Sequence, residues 1–246
     1  MPFVWFIAIL QPDFLHLISC FCASSFSDFP MPENSLNLLF HPVSVVLVSY
    51  LLGSLSFAVI VSKFMGLSDP RSYGSKNPGA TNVLRSGNKK AAVLTLLFDA
   101  VKGWIPVFWV LQQGGAWGLT EGVAAAAGLA AFLGHLYPIF FKFEGGKGVA
   151  TALGVLMGVS PVLGLAIALT WLGVAWFFKY SSLAALLAAL LAPVYYALAS
   201  DVLWWSFNGP IFGMLCVMGI LLVWRHRDNV NRLLAGTESK LGAKKS

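Results

Sequence analysis

The chain is poor in charge. Only 11% of its 246 residues are Asp, Glu, Lys or Arg, whereas soluble domains carry about 25%. With 58% hydrophobic residues and a mean hydropathy of +0.77, that shortage excludes a water-soluble globule and points to a polytopic membrane protein. The net charge of +6 in so apolar a chain is not a nucleic-acid footprint. Cysteine is scarce as well: Cys20, Cys22 and Cys216 form no CxxC pair, so neither a disulfide framework nor a metal site is indicated. Residues 1–41 hold no Lys or Arg, and a secretory signal needs a basic start. A Walker A loop is missing too, because Gly148 stands where its Mg²⁺-binding Ser or Thr belongs.

What is present is a series of apolar runs long enough to cross a hydrocarbon core of about 30 Å. They are expected at Pro42–Lys63, Ala91–Leu111, Gly122–Phe141, a short stretch from Val149, Pro161–Phe178, Leu183–Ala199 and Leu203–Trp224. The break at Gly158-Val-Ser-Pro161 follows from proline's inability to continue a helical ladder. It also keeps every basic cluster on one side. Residues 64–90 carry Arg71, Lys76, Arg85, Lys89 and Lys90 against Asp69 alone, and the tail carries Arg225, Arg227, Arg232 and Lys240. The positive-inside rule therefore predicts an all-α protein with seven transmembrane segments, N-terminus outside and C-terminus cytoplasmic. Residues 1–41 form an atypical extension: Pro12 and Asp13 interrupt its apolar runs, and Met31 precedes the first clean span. The extension reads either as dispensable, with Met31 as the true start, or as one more membrane helix. Residues 42–246 form a single membrane-embedded domain, with no internal repeat.

Polar residues gather in a few places. Gly145 to Thr151 reads Gly-Gly-Lys-Gly-Val-Ala-Thr and leads into an apolar helix. Glycines around Lys147 let backbone N–H groups converge on an anion at a helix N-terminus; the plainer alternative is a turn whose lysine marks the cytoplasmic side. Gly74-Ser-Lys-Asn-Pro-Gly-Ala-Thr-Asn-Val-Leu-Arg85 makes a second candidate nest. Gly74, Gly79 and Ala80 admit close approach, Ser75, Asn77, Thr81 and Asn82 add neutral polar groups, and Arg85 can grip a phosphate bidentately.

Asp99 and Lys102 lie three apart inside the second span. Ionisable groups at that depth pair with one another, so they are expected to buttress the site, as is His135 at the end of the third span. Ser181 and Ser182 open a helix. In Arg225-His-Arg-Asp-Asn-Val-Asn-Arg232, His226 and Asn229 share a helical face with Arg225 and Arg232; an amphipathic helix held by anionic lipid is the alternative. Two anion nests and several cations on one face, with no carboxylate cluster, suit two phosphates at a membrane surface. They imply no metal.

These motifs, in this order, resemble the bacterial membrane acyl-phosphate:glycerol-3-phosphate acyltransferases. The likeness rests on Gly74–Arg85, Asp99 with Lys102-Gly103, Gly134-His135 with Gly145–Thr151, Ser181-Ser182, and Arg225–Glu238. It spans residue 42 to the end and leaves residues 1–41 without a counterpart. The family pattern usually has Gly where Lys76 stands. The resemblance implies a seven-helix enzyme of the bacterial inner membrane, with a cytoplasmic active site and no cofactor. It would move an acyl group from acyl phosphate to glycerol 3-phosphate, giving lysophosphatidic acid for phospholipid synthesis. The soluble enzyme that makes acyl phosphate is a candidate partner. By the same likeness the Ser75–Arg85 loop holds acyl phosphate, and Lys147, flanked by Gly145, Gly146 and Gly148, neutralises phosphate. Ser182, His226 and Asn229 line the glycerol 3-phosphate pocket with Ser181 beside them, Arg85 lies near both substrates, and Glu238 supports the site. Either His226 or a substrate phosphate accepts the hydroxyl proton.

A His-x4-Asp acyltransferase is excluded, since no histidine has Asp five residues on. A phosphometabolite transporter fits less well, because transporters bind near the midplane between repeats. The topology is open to test. Single cysteines at Ser86, Lys142, Lys179 and Lys240, in a background without native cysteines, should label from the cytoplasm, and one at Gln113 from outside; external labelling at 179 would fuse 149–178 into one span.

Overall fold

The computed structural model describes residues 41–202 and 205–241; the apolar extension and the Met31 start lie outside the described residues. Among the described residues the chain is all helical, without a strand. The helices are α1 (Pro42–Gly53), α2 (Phe57–Phe64), α3 (Ala80–Leu84), α4 (Lys89–Gln113), α5 (Glu121–Leu136), α6 (Val149–Val159), α7 (Pro161–Phe178), α8 (Ser181–Ala199), α9 (Gly209–Arg225) and α10 (Arg227–Leu234). Short 3-10 turns follow α4 and α5.

Local chemistry sets these bounds. Asn88 caps α4, its Oδ1 accepting the Ala91 N–H at 3.0 Å. The 25 residues of α4 span about 37 Å, enough to cross a bilayer core. Ser160, at φ −156° and ψ 126°, separates α6 from α7, and Pro161 opens α7 as expected. Among the described residues, four helical stretches are long and apolar enough to span a membrane, or up to six spans if each bent pair counts as one. The eleven residues of α6 reach only about 16 Å, so that stretch is a half-length helix.

Three boundaries differ from the sequence expectation. The first span is two helices, α1 and α2, bent by 45° around Ser54–Ser56. Hydropathy cannot see that break, because its residues are small and its flanks apolar. The last long helix, α9, begins at Gly209, where the Asn208 side chain accepts the Ile211 N–H and Pro210 occupies the first turn; Leu203, the expected start, lies outside the described residues. The polar tail is not continuous with it: the chain turns by 57° between α9 and α10, with His226 as the joint.

Glycine is what brings the helices together. A Cβ on Gly154 of α6 would stand 1.8 Å from the Ala100 carbonyl oxygen of α4, and one on Gly103 of α4 would stand 2.3 Å from the Thr151 oxygen of α6. The α1–α5 pair repeats the device, with Gly53 against Ala131 and Gly134 against Tyr50. Lipid supplies no hydrophobic force between helices, so close backbone approach supplies packing instead. Around these contacts lies a core that includes Phe132, Leu136, Val155, Leu163, Tyr196 and Met214. Leu97, Val101 and Ile105 on α4, and Leu165, Leu169 and Leu172 on α7, stay exposed, as lipid-facing side chains do.

In an isolated helix Gly154→Ala would gain about 1 kcal/mol. Here it should instead lower stability by about 2 kcal/mol or more, read as a fall in thermal midpoint in detergent. Gly173→Ala, with nothing within 4 Å of the added carbon, is the matched control and should be neutral or slightly stabilising.

Candidate active site

The first polar loop is fastened by its own asparagine. Asn82, buried on α3, donates from Nδ2 to the carbonyls of Pro70 (2.6 Å) and Tyr73 (3.2 Å) and accepts the Ser75 N–H at 3.0 Å. Its amide therefore holds the loop in shape. Gly74, at φ +59°, lies so close that a Cβ would meet Asn82 Oδ1 at 2.3 Å. Lys76 adopts φ +55°, a left-handed conformation that favours glycine; that accounts for the glycine expected there. Ser75, Thr81 and Arg85 are exposed, Asn77 is half-buried, and Gly79 and Ala80 open α3 without a side-chain cap.

The glycine loop is inverted relative to a simple nest. The Gly146 N–H donates to the His135 carbonyl at 3.1 Å. Arg225 donates to the carbonyls of Gly145 (2.8 Å) and Gly146 (2.9 and 3.2 Å). These two glycines thus present oxygens to Arg225, and Gly146 has no N–H left for an anion. Gly146 also does not adopt positive φ; among these glycines only Gly148 does, at +84°. The requirement at Gly146 is space, since a Cβ would lie 2.2 Å from His135 Nε2 and 2.9 Å from the Pro78 carbonyl. That second contact seats the two polar loops against each other. Gly148 leads into α6, whose first turn receives no side-chain cap, and the dipole at such a helix start favours an anion.

Lys147 is not a solvent-facing loop lysine as its position suggests. It is half-buried, and its ammonium donates to Asn229 Oδ1. From there a chain of hydrogen bonds crosses the site. Asn229 Nδ2 donates to Glu238 Oε1 at 2.7 Å, Ser182 Oγ donates to the same oxygen at 2.8 Å, and Arg232 Nε donates to Oε2 at 2.7 Å. Glu238, expected only to support the site, is its hub. The residues just after it are tied down twice, by Arg85 to Ser239 Oγ (2.8 Å) and by the Leu241 N–H to the Lys179 carbonyl (2.7 Å).

Charge and burial set the protonation states. Burial pushes the Lys147 ammonium down to about 8, helped by Arg232 and opposed by Glu238. Burial likewise pushes His226 down to about 4, with the Lys147 charge adding to it. Its Nδ1 lies 2.8 Å from the Leu222 carbonyl, an acceptor only, so Nδ1 carries the hydrogen and Nε2 a lone pair. A backbone carbonyl thus does the orienting that no carboxylate in the motif provides. Burial alone would raise Glu238, but hydrogen bonds from Asn229, Arg232 and Ser182 hold its carboxyl below the usual range.

Beneath the loops sits the buried ion group. Lys102 Nζ lies 2.8 Å from Asp99 Oδ1 and donates to the Leu55 carbonyl at 2.6 Å, inside the α1–α2 break. His135 Nδ1 is 3.5 Å from the same carboxylate oxygen. Since the His135 backbone and ring both meet Gly146, this group supports the glycine loop and does not face the Lys147 cluster directly.

With this geometry in place, the comparisons with known proteins decide the family. A glycerol-3-phosphate acyltransferase family profile matches residues 43–236. The chain belongs to the glycerol-3-phosphate acyltransferase family. Curated family members include one from Albidiferax ferrireducens, 59% identical over 205 residues that cover 83% of this chain and 91% of the relative. Another, from Burkholderia cenocepacia, is 63% identical over 201 residues that cover 81% and 90%. The crystal structure of the integral membrane acyltransferase PlsY (YgiH) in its glycerol 3-phosphate form superposes with a TM-score of 0.74 at 41% identity, covering 82% of this chain and 96% of that one. Its lysophosphatidic acid form gives 0.73 at 40% identity. This acyltransferase is accordingly a multi-pass membrane protein.

The fold thus gathers Lys147, Ser182, His226, Asn229 and Glu238 at one end of the bundle and brings Arg85 to its edge. Ser181 is half-buried beside Ser182. Sequence reasoning left Arg225 and Arg232 without roles, although the first holds the glycine-loop carbonyls and the second half of Glu238. Their seven-residue spacing, about two helical turns, was the available signal. The electrostatics can be checked directly: in protein with ¹³C-dimethylated lysines, the resonance that Lys147→Arg removes should titrate near pH 8, and an ordinary value near 10.4 would show the ammonium to be solvated.

Proposed function

We propose that this family member transfers an acyl group from acyl phosphate to the C1 hydroxyl of glycerol 3-phosphate, releasing phosphate and 1-acyl-glycerol 3-phosphate. The observation that carries the reading is the Lys147–Asn229–Glu238–Ser182 chain, set between the Arg85 loop and the uncapped N-terminus of α6. One known relative has been crystallised in glycerol 3-phosphate and lysophosphatidic acid forms, and such a cluster suits those two ligands. In this reading Lys147 and Arg85 neutralise phosphate, and the Ser75–Arg85 loop receives acyl phosphate. Ser182, His226 and Asn229 line the acceptor pocket. By the positive-inside rule the basic loops support a site on the cytoplasmic side of a bacterial inner membrane.

The chemistry asks little of a general base. The C1 oxygen forms a bond to the acyl carbon as the phosphate oxygen departs from it, and that leaving group is already good. Positioning and charge neutralisation supply most of the acceleration. The hydroxyl proton has two possible acceptors, the lone pair on His226 Nε2 and a phosphate oxygen. With His226 pushed to about 4 and a phosphate second pKa of about 6, the phosphate is the stronger base. His226 then accepts a hydrogen bond that aligns the hydroxyl.

Purified protein given palmitoyl phosphate and glycerol 3-phosphate, without coenzyme A, should form lysophosphatidic acid and release phosphate. Lys147→Ala should lower kcat/KM for glycerol 3-phosphate by about 100-fold or more while the protein remains in the membrane. No product from wild type, together with glycerol 3-phosphate uptake into proteoliposomes, would replace this reading with transport. Near-normal turnover by Lys147→Ala would remove the glycine loop from the mechanism.

A further inference from the structure

The hydrogen-bond directions around Glu238 sort the side chains of this cluster into two chemical kinds. On one side stand donors without lone pairs: the Lys147 ammonium and the Arg232 and Arg85 guanidiniums. An anion belongs there. On the other side Ser182 has its single hydroxyl hydrogen on Glu238 Oε1 at 2.8 Å, and Asn229 points an N–H at the same oxygen and its own oxygen at Lys147. His226 keeps its hydrogen on Nδ1, against the Leu222 carbonyl. What Ser182 and His226 have left to offer is a lone pair each, on Oγ and Nε2. Glu238 cannot shed this role easily, since its side chain is only 7% exposed and is pinned by Arg232 at 2.7 Å.

We propose that Glu238, by taking the single hydroxyl hydrogen of Ser182 and leaving its Oγ, like His226 Nε2, only lone pairs to offer, selects an acyl acceptor with a hydroxyl at C2 and rejects the corresponding ketone. The inference rests on the acceptor pocket assigned above. Once the phosphate occupies the cationic side, the remaining polar groups of glycerol 3-phosphate are two hydroxyls, both of which can donate. Dihydroxyacetone phosphate keeps the phosphate and the C1 hydroxyl but carries a carbonyl oxygen at C2. That oxygen meets lone pairs, and the mismatch leaves buried polar groups unpaired, which is how a site built to bind a hydroxyl discriminates strongly. Glu238 acts through Ser182, so it is a positioning residue and sets specificity without touching substrate.

The test compares kcat/KM for glycerol 3-phosphate and dihydroxyacetone phosphate, with palmitoyl phosphate as donor, in wild type, Glu238→Gln, Glu238→Ala and Ser182→Ala. Wild type should favour the hydroxylated substrate by about 100-fold or more. In Glu238→Ala nothing accepts the Ser182 hydrogen, so the hydroxyl can turn and donate, and the preference should fall at least tenfold or ketone turnover should become detectable; in Glu238→Gln the amide oxygen can still accept that hydrogen, so the preference should fall less. Ser182→Ala, which removes one hydroxyl without altering the backbone, should lose more activity on the hydroxylated substrate than on the ketone, and it keeps the test alive if a Glu238 variant does not fold. Equal loss on both substrates in every variant, or an unchanged preference in Glu238→Ala, overturns the inference while leaving the acyltransferase reading intact. Failure of wild type to acylate glycerol 3-phosphate overturns both.

Discussion

A single buried ammonium joins the membrane core of this protein to its site. Nothing within a bilayer core offers a hydrogen bond to a broken helix, so each freed carbonyl needs a partner from the chain itself. The α1–α2 break frees the Leu55 carbonyl, and Lys102 supplies its donor while resting against Asp99. Removing either ion would leave the other charge buried and unpaired, a loss of about 3–5 kcal/mol. The pair therefore cannot be dissected into a structural half and a functional half. His135 leans on the same carboxylate and meets Gly146 through both its ring and its carbonyl. Disturbance at Asp99 reaches the glycine loop across one intervening residue.

From that base the glycine loop acquires an unexpected polarity. Gly145 and Gly146 turn carbonyls toward Arg225, which fixes the loop on α9. Three arginines near the site serve three purposes. Arg225 holds backbone, Arg232 holds Glu238, and Arg85 reaches the C-terminal segment through Ser239. Arginine's planar fork suits the first two tasks in a way lysine's compact ammonium does not. Lys147, buried and crowded by those cations, carries a proton whose hold is weakened to about 8. An arriving phosphate would strengthen that hold, so binding and protonation of Lys147 support each other.

The membrane class, the helical breaks at Ser160 and the clustering of polar motifs were legible in the sequence because each has a strong local signal: composition, a proline, glycine-rich runs. The Ser54–Ser56 bend and the His226 joint were not, since the first lies between apolar flanks and the second within a helix-forming polar run. Which atoms face the site was least legible of all. Asn82 has the right residue type for a ligand contact, yet its amide closes its own loop. Lys147 has the look of a solvent-facing lysine, yet Asn229 claims it. Direction of hydrogen bonding belongs to tertiary structure, and spacing along a chain does not encode it.

Glu238 shows why that direction matters. A carboxylate placed among Lys147, Arg232 and Arg85 lowers the positive charge that a substrate phosphate would meet, so by charge alone it weakens binding. Its compensation is order. By accepting from three side chains it fixes an amide, a hydroxyl and a guanidinium before substrate arrives, and a site that is already arranged loses less entropy on binding. The reaction needs alignment more than a strong base, so trading some electrostatic attraction for preset geometry favours the acylation step over uniform retention of anions. That trade also explains why the residues just after Glu238 are fastened twice, Ser239 to Arg85 and Leu241 to the Lys179 carbonyl: a loose carboxylate would compete with substrate without arranging anything.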